Sequence, residues 1–260
     1  MLDPDVLGQL TAPFAPAAGA MLDLIGLSPG AACLDLGCGP AAILEQLSAR
    51  VGPRGRVVGV EGVPRRAPVA HRRLSAPGQG NVSLVPGDAF ANDLPPASFD
   101  LVHACFLGAL GGRQRERLRA MVALTRPGGV VAIQEPVAST WRCYPPRPAW
   151  DRLLAAITTA VGRAGGDLSA GLGTYRLFRR AGLQDVRVRA AVVALQDAHP
   201  LMRLPIVVAG ALRASIVGGG IAAEEELDAA LRECEYSALD DETFVTSFMV
   251  TQVWGRRAEG

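Results

Sequence analysis

The chain has 260 residues, 49% hydrophobic and 20% charged, with a formal net charge of +1. That length buries a sizeable core without covalent or metal staples, and the near-neutral charge speaks against a nucleic-acid polymer as substrate, which demands a basic face. All 26 basic residues are arginine, and five cysteines without a Cys-x-x-Cys pair beside three scattered histidines argue against a metal site.

Met1–Leu10 carries Asp3 and Asp5 and no basic n-region, so it is not expected to act as a secretory signal. With the odd cysteine count, this points to the reducing cytoplasm. Residues 1–28 are expected to form a helical segment ahead of the core. From about residue 30, strands and helices alternate, the mark of a parallel sheet covered on both faces. Ala32–Leu36 reads as a buried first strand and Gly37–Pro40 as a turn. Ala41–Val51 reads as a helix with Ile43, Leu44, Leu47 and Val51 on one face. Arg56–Glu61 is a second strand, Arg65–Leu74 a basic helix, Asn81–Val85 a third strand and Phe99–Cys105 a fourth. A helix over Arg113–Leu124 closes at Arg126-Pro127-Gly128-Gly129 and leads into a fifth strand, Val130–Gln134. Past Glu135, the segment with Trp141, Tyr144, Pro145, Pro146 and Pro148 reads as irregular. Helices over Trp150–Val161 and Tyr175–Arg180 follow, then a strand over Val186–Leu195. Gln196–Asp241 reads as an insertion with one or two helices, and Phe244–Trp254 as the last strand. The most apolar stretch, Leu201–Ala223, is broken by Arg203, Arg213 and three successive glycines, so no membrane insertion is expected.

The first strand enters its helix through Asp35-Leu36-Gly37-Cys38-Gly39, a turn whose glycines let a ligand approach the backbone. Gly37, Gly39 and Ala42 also satisfy the dinucleotide pattern G-x-G-x-x-G/A, with Glu61 near the distance of a ribose-binding acid. An NAD(P)-dependent oxidoreductase is therefore a serious competitor. Electrostatics separates the readings. A pyrophosphate at the helix N-terminus gains nothing from a neighbouring acid. Asp35, just before the turn, and Asp88, in Gly87-Asp88-Ala89 after the third strand, instead suit a cationic ligand without phosphate. A carboxylate at Asp88 can also accept from the exocyclic amine of adenine.

Asp35-x-Gly37-x-Gly39, Glu61, Gly87-Asp88-Ala89, Ser98-Phe99-Asp100-Leu101-Val102 and Arg126-Pro127-Gly128-Gly129 occur in that order. Together they resemble the successive motifs of class I S-adenosylmethionine-dependent methyltransferases, close to the quinone-biosynthesis and bacterial natural-product branch, over about residues 31–136. The resemblance implies a single α/β domain over residues 1–260 with a Rossmann-like, seven-stranded, mostly parallel sheet. It implies an antiparallel last strand and a helical insertion between the last two strands. Residues 29–136 would hold the cofactor and residues 137–260 the substrate. It further implies S-adenosyl-L-methionine as cofactor and S-adenosyl-L-homocysteine as product. The Gly37-Cys38-Gly39 turn would hold the methionine part beside Asp35, Glu61 with Gly62 the ribose hydroxyls, and Gly87, Asp88 and Ala89 the adenine. One departure is Ala41, preceded by Pro40, where many members have a third glycine. Asp100 reads equally as a cofactor contact or a strand-edge cap, and Arg126–Gly129 as a structural turn.

Methyl transfer is an in-line displacement from an already activated reagent, so positioning and desolvation supply much of the rate. A base is needed only where the acceptor must lose a proton. His103, ending the fourth strand, is a candidate base or a group packed beside the cofactor. His199 in the insertion and Tyr144 after the fifth strand are further candidates at the acceptor, each with a bland reading as a surface or loop-anchoring residue. Cys105 lacks the preceding proline of cytosine C5-methyltransferases and is no convincing nucleophile. The apolar segment Leu201–Val217 reads as part of a helical lid, about residues 196–241, over a partly apolar small-molecule acceptor, or as a homodimer interface. The expected activity is methyl transfer to such an acceptor, most readily to oxygen and in bacterial secondary metabolism. A cofactor-binding cyclase and the oxidoreductase are the alternatives.

Overall fold

The computed structural model describes residues 12–39, 42–63, 80–90 and 92–259. The helices are α1 (Ala15–Ile25), α2 (Ala42–Val51), α3 (Leu107–Gly111), α4 (Gln114–Leu124), α5 (Pro148–Arg163), α6 (Ala170–Arg180), α7 (Leu204–Ala211), α8 (Arg213–Val217) and α9 (Glu224–Leu239). The strands are β1 (Ala32–Leu36), β2 (Arg56–Glu61), β3 (Val82–Pro86), β4 (Phe99–Cys105), β5 (Thr125–Val137), β6 (Arg142–Tyr144), β7 (Gln184–Ala191), β8 (Ala194–Leu195), β9 (Phe244–Thr246) and β10 (Met249–Arg256).

Seven strands form one sheet in the order β3-β2-β1-β4-β5-β10-β7. The first five pair in parallel, and β10 runs antiparallel between β5 and β7. This is the mostly parallel sheet with a reversed last strand expected from the motifs. Strand alternation sends Leu34, Leu36, Val58, Val60, Val102 and Val131 to one face, under Leu118 and Met121 of α4 and Phe178 of α6. Cys33, Val57, Leu101, Ala132 and Trp254 face the other way, under Met21 and Leu22 of α1 and Leu44 and Leu47 of α2. The strand order turns back between β1 and β4, and such a switch opens a crevice at the carboxyl ends of the strands.

A third apolar cluster lies beyond that end. It joins Leu153, Leu154 and Ile157 of α5 to Val208 of α7, Ile216 of α8, and Leu227, Ala230 and Cys234 of α9. The insertion is thus three helices and a 3-10 turn rather than one or two helices. Its segments are individually short and apolar, and only packing on α5 defines where each ends.

Two further expectations are corrected. The segment read as one last strand, Phe244–Trp254, breaks at Ser247-Phe248 into β9 and β10. Phe248 turns into an aromatic cluster with Phe14, Phe106 and Trp141, and Ser247 Oγ accepts from Val193 N in place of the ladder. The freed β9 builds a second, three-stranded sheet with β6 and β8, which alternation did not foretell. Arg126–Gly129, read as a turn, is a bulge in β5: β4 pairs with Thr125 and then with Val130. The expected basic helix over Arg65–Leu74 and the Pro40-Ala41 departure lie outside the described residues.

Candidate functional site

β1, β2, β3 and β4 all end on one edge of the sheet, and the predicted cofactor residues gather there. At Gly37 the backbone has φ +71°, and a Cβ would stand 3.0 Å from Leu107 Cδ1, so only glycine fits this exit from β1. The amides of Gly37 and Cys38 both donate to Val60 O, which ties the turn to β2. Glu61, buried at the end of β2, accepts from Gly39 N (2.9 Å) and Val63 N (2.8 Å). Gly62 passes so close to the next strand exit that a Cβ would lie 2.9 Å from Gly87 O. Asp88 is exposed and folds its carboxylate onto Phe90 N at 2.8 Å, while Ala89 beside it is buried.

Beneath the turn runs a buried polar row. Gln252 Nε2 donates to Gln134 Oε1 (2.7 Å), and Gln134 Nε2 lies 3.0 Å from His103 Nε2. His103 Nδ1 lies 2.7 Å from Asp35 Oδ1. An amide N–H can only donate, so Nε2 of the imidazole is the acceptor and Nδ1–H donates to Asp35. The four side chains cross β10, β5, β4 and β1 on one face. His103 is wholly buried and both ring nitrogens are occupied, so neither is free for an acceptor. Asp35 Oδ2 has no partner among the described residues. Burial pushes the Asp35 carboxyl above its ordinary value, and the interaction with His103 only partly offsets this.

A second buried pair was missed by sequence reading. Glu135 on β5 takes Arg117 Nη1 at 2.6 Å, Gly108 N at 2.7 Å and Ala109 N at 3.0 Å. It thereby fastens the start of α3, whose Leu107 packs on Gly37. Burial raises the Glu135 carboxyl, against the lowering effects of Arg117 and the two amides. The available signal was the pair Gln134-Glu135 inside an otherwise apolar strand.

The remaining candidates sit elsewhere. His199 is exposed and caps the 3-10 turn Pro200–Arg203, accepting from Leu201 N on Nδ1. Tyr144 stacks on Phe244 (centroids 4.8 Å apart) in the three-stranded sheet. Asp100 lies at the opposite edge, accepting from Ala32 N at the start of β1 and pairing with Arg126, so it staples strand starts. Burial, together with the charges of Asp35 and Glu135, pushes the Cys105 thiol well up, which disfavours a nucleophilic thiolate. Among the described residues no group of three His, Cys, Asp or Glu is placed to hold a metal, and no helix is long and apolar enough to cross a membrane.

Residues 33–129 match the family model described as a methyltransferase domain. The chain is 35% identical over 124 residues to the nocamycin O-methyltransferase of Saccharothrix syringae, covering 48% of this chain and 44% of that one. It is 30% identical over 135 residues to the aklanonic acid methyltransferase DauC of Streptomyces sp. (strain C5), covering 51% and 61%. The chain spans less than two thirds of the length of both relatives. Among solved structures, the YcgJ protein of Bacillus subtilis superposes with a TM-score of 0.60 at 16% identity, over 94% of this chain and 99% of that one. The Haemonchus contortus phosphoethanolamine N-methyltransferase 2 in complex with S-adenosyl-L-methionine gives 0.55 at 14% identity, over 94% and 52%.

Proposed function

We propose that this chain is a class I S-adenosylmethionine-dependent methyltransferase that transfers the sulfonium methyl group to a small-molecule acceptor, with oxygen the favoured acceptor atom; the methyltransferase-domain match and the methyltransferase relatives support this. The observation that carries this reading is the Asp35 carboxylate, held by His103 two residues before the Gly37 turn, with one oxygen left unpartnered. A pyrophosphate at that turn would meet a negative charge, whereas a sulfonium and an ammonium are attracted by it. S-adenosylmethionine, when bound, would supply an electrophilic methyl group with a neutral thioether as leaving group, balanced by the new bond from the acceptor lone pair. Asp35 would attract the cationic end, Glu61, which holds Gly39 N, would meet the ribose hydroxyls, and Asp88 with the Ala89 backbone would hold the adenine.

The acceptor side is aromatic. Phe106, directly after β4, packs with Phe14 (6.3 Å between centroids) and Phe248 (5.7 Å), and Phe248 in turn meets Phe14 and Trp141, each at 5.2 Å. The indole N–H groups of Trp141 and Trp150 are buried without partners among the described residues. Such donors are costly to leave unmet, and an acceptor combining apolar rings with oxygen atoms suits them. The two microbial relatives whose names specify small organic substrates support the same class.

Calorimetry tests the cofactor: S-adenosylmethionine and its demethylated product should bind, and NAD should not. Binding of NAD alone would overturn the reading. Mass spectrometry of an aromatic hydroxylated acceptor should then show one added methyl group, whereas turnover without a mass gain would indicate the cyclase alternative.

A further inference from the structure

Across the sheet from α1 and α2, helices α4 and α6 lie side by side and enclose a groove of about 810 Å3. Arg115 and Arg119 line it from α4, and Arg176 and Arg180 from α6. Each pair is spaced four residues apart, so each forms a row about 6 Å long on its helix. Leu118, Val122 and Leu177 form the floor, and Gly173, Ala123 and Ala181 keep the rim low.

All four arginines are exposed, and none has a hydrogen bond or ion pair among the described residues. Several other surface arginines are matched, among them Arg113 with Glu116, Arg126 with Asp100, Arg147 with Asp240, and Arg203 with Glu235. Four unneutralised guanidinium groups are thus concentrated on one groove of a chain whose net charge is only +1. Their mutual repulsion is relieved by an anionic occupant.

We propose that this groove docks a protein partner through an acidic amphipathic helix. A helix laid between the rows would place carboxylates spaced by one turn against Arg115 and Arg119 on one flank and Arg176 and Arg180 on the other. Its apolar stripe would cover the half-buried Val122 and Leu177, above the buried Leu118. That floor favours a protein helix over a phosphate polymer, whose backbone offers nothing apolar to cover it. A second copy of this chain is a poorer occupant. Its acidic helix, α9, already commits Glu224 and Asp228 to Arg213, Glu233 to Arg152 and Glu235 to Arg203.

The test uses the whole protein and a fluorescein-labelled helical peptide with a leucine stripe flanked by glutamates, read by anisotropy. A counterpart with lysines for glutamates is the control. The acidic peptide should saturate the protein, and binding should weaken as salt rises. Arg119→Glu with Arg180→Glu should weaken it about tenfold or more and should strengthen binding of the lysine peptide. Melting temperature and S-adenosylmethionine binding should stay at the parent values. If the reversal disturbs folding, Arg115→Gln with Arg176→Gln carries the comparison. Absence of saturable binding, or equal binding by parent and variant, overturns the proposal. Displacement of the peptide by inorganic polyphosphate or a short RNA duplex at lower concentration makes the groove a phosphate site instead. A concentration-dependent dimer in light scattering, abolished by the reversal, makes the occupant a second copy.

Discussion

Asp35 and His103 pose a question of charge that a single substitution answers. The Asp35 carboxyl titrates above its ordinary value of 3.8, chiefly because it is buried. The folded chain therefore holds that proton more tightly than the unfolded chain does. The resulting stabilisation is complete below about pH 3.8 and is lost as pH rises through the folded value. Asp35→Asn keeps an acceptor for His103 Nδ1–H and removes the charge. Its melting temperature relative to the parent should climb as pH rises above about 3.8. S-adenosylmethionine affinity should fall about tenfold or more. A pH-independent difference would mean that the carboxyl is solvated. The thiols give a second residue-level expectation. Burial, with the charge of Asp100, pushes Cys33 up to about 12, and burial does the same for Cys234. Cys105 is likewise raised. These three should resist an aromatic disulfide reagent at pH 8 until denaturant is added, and Cys105→Ala should keep methyl transfer within about twofold. Rapid native labelling of Cys105 would contradict this.

At the scale of elements, α3 is the informative case. It has five residues, too few to stand by propensity, and Glu135 holds its first amides. Gly108→Ala would raise helix propensity by about 1 kcal/mol. Its Cβ, however, would fall 2.7 Å from Glu135 Oε1 and against Arg117, so urea denaturation should show a net loss of about 1–3 kcal/mol. A gain would mean that the buried pair yields easily. The same locality explains what was legible beforehand. β1, β2 and β4 announced themselves because alternation, turn glycines and carboxyl-end acids lie within a few residues of one another. Glu135 and Arg117 are 18 residues apart, and no spacing rule joins a mid-helix arginine to a strand acid. His103 was legible as a strand-end histidine, but the amides that occupy it come from β5 and, behind that, β10. The break at Ser247-Phe248 was hidden because Phe244–Trp254 is uninterrupted by any turn residue, and the cause is the remote aromatic cluster.

For the whole molecule, the arrangement of apolar clusters bears on how the acceptor side moves. A lid that opens freely needs little apolar contact with its base. Leu227, Ala230 and Cys234 of α9 are instead buried in one cluster with Leu153 and Ile157 of α5, and Met202 and Val208 share it. The insertion and α5 are then one helical layer, fixed by their common core. Leu227→Ala should cost about 2–5 kcal/mol, because Leu227 is 2% exposed. Hydrogen exchange should show that loss equally in residues 153–160 and 227–238, while β1 and β4 keep their protection. Loss confined to α9, with α5 unchanged and restored by cofactor, would instead describe a hinged lid. Under the layered reading, acceptor entry is left to the short connections around the layer, such as the 3-10 turn capped by His199, and protection there should change on ligand binding while the layer stays as it was.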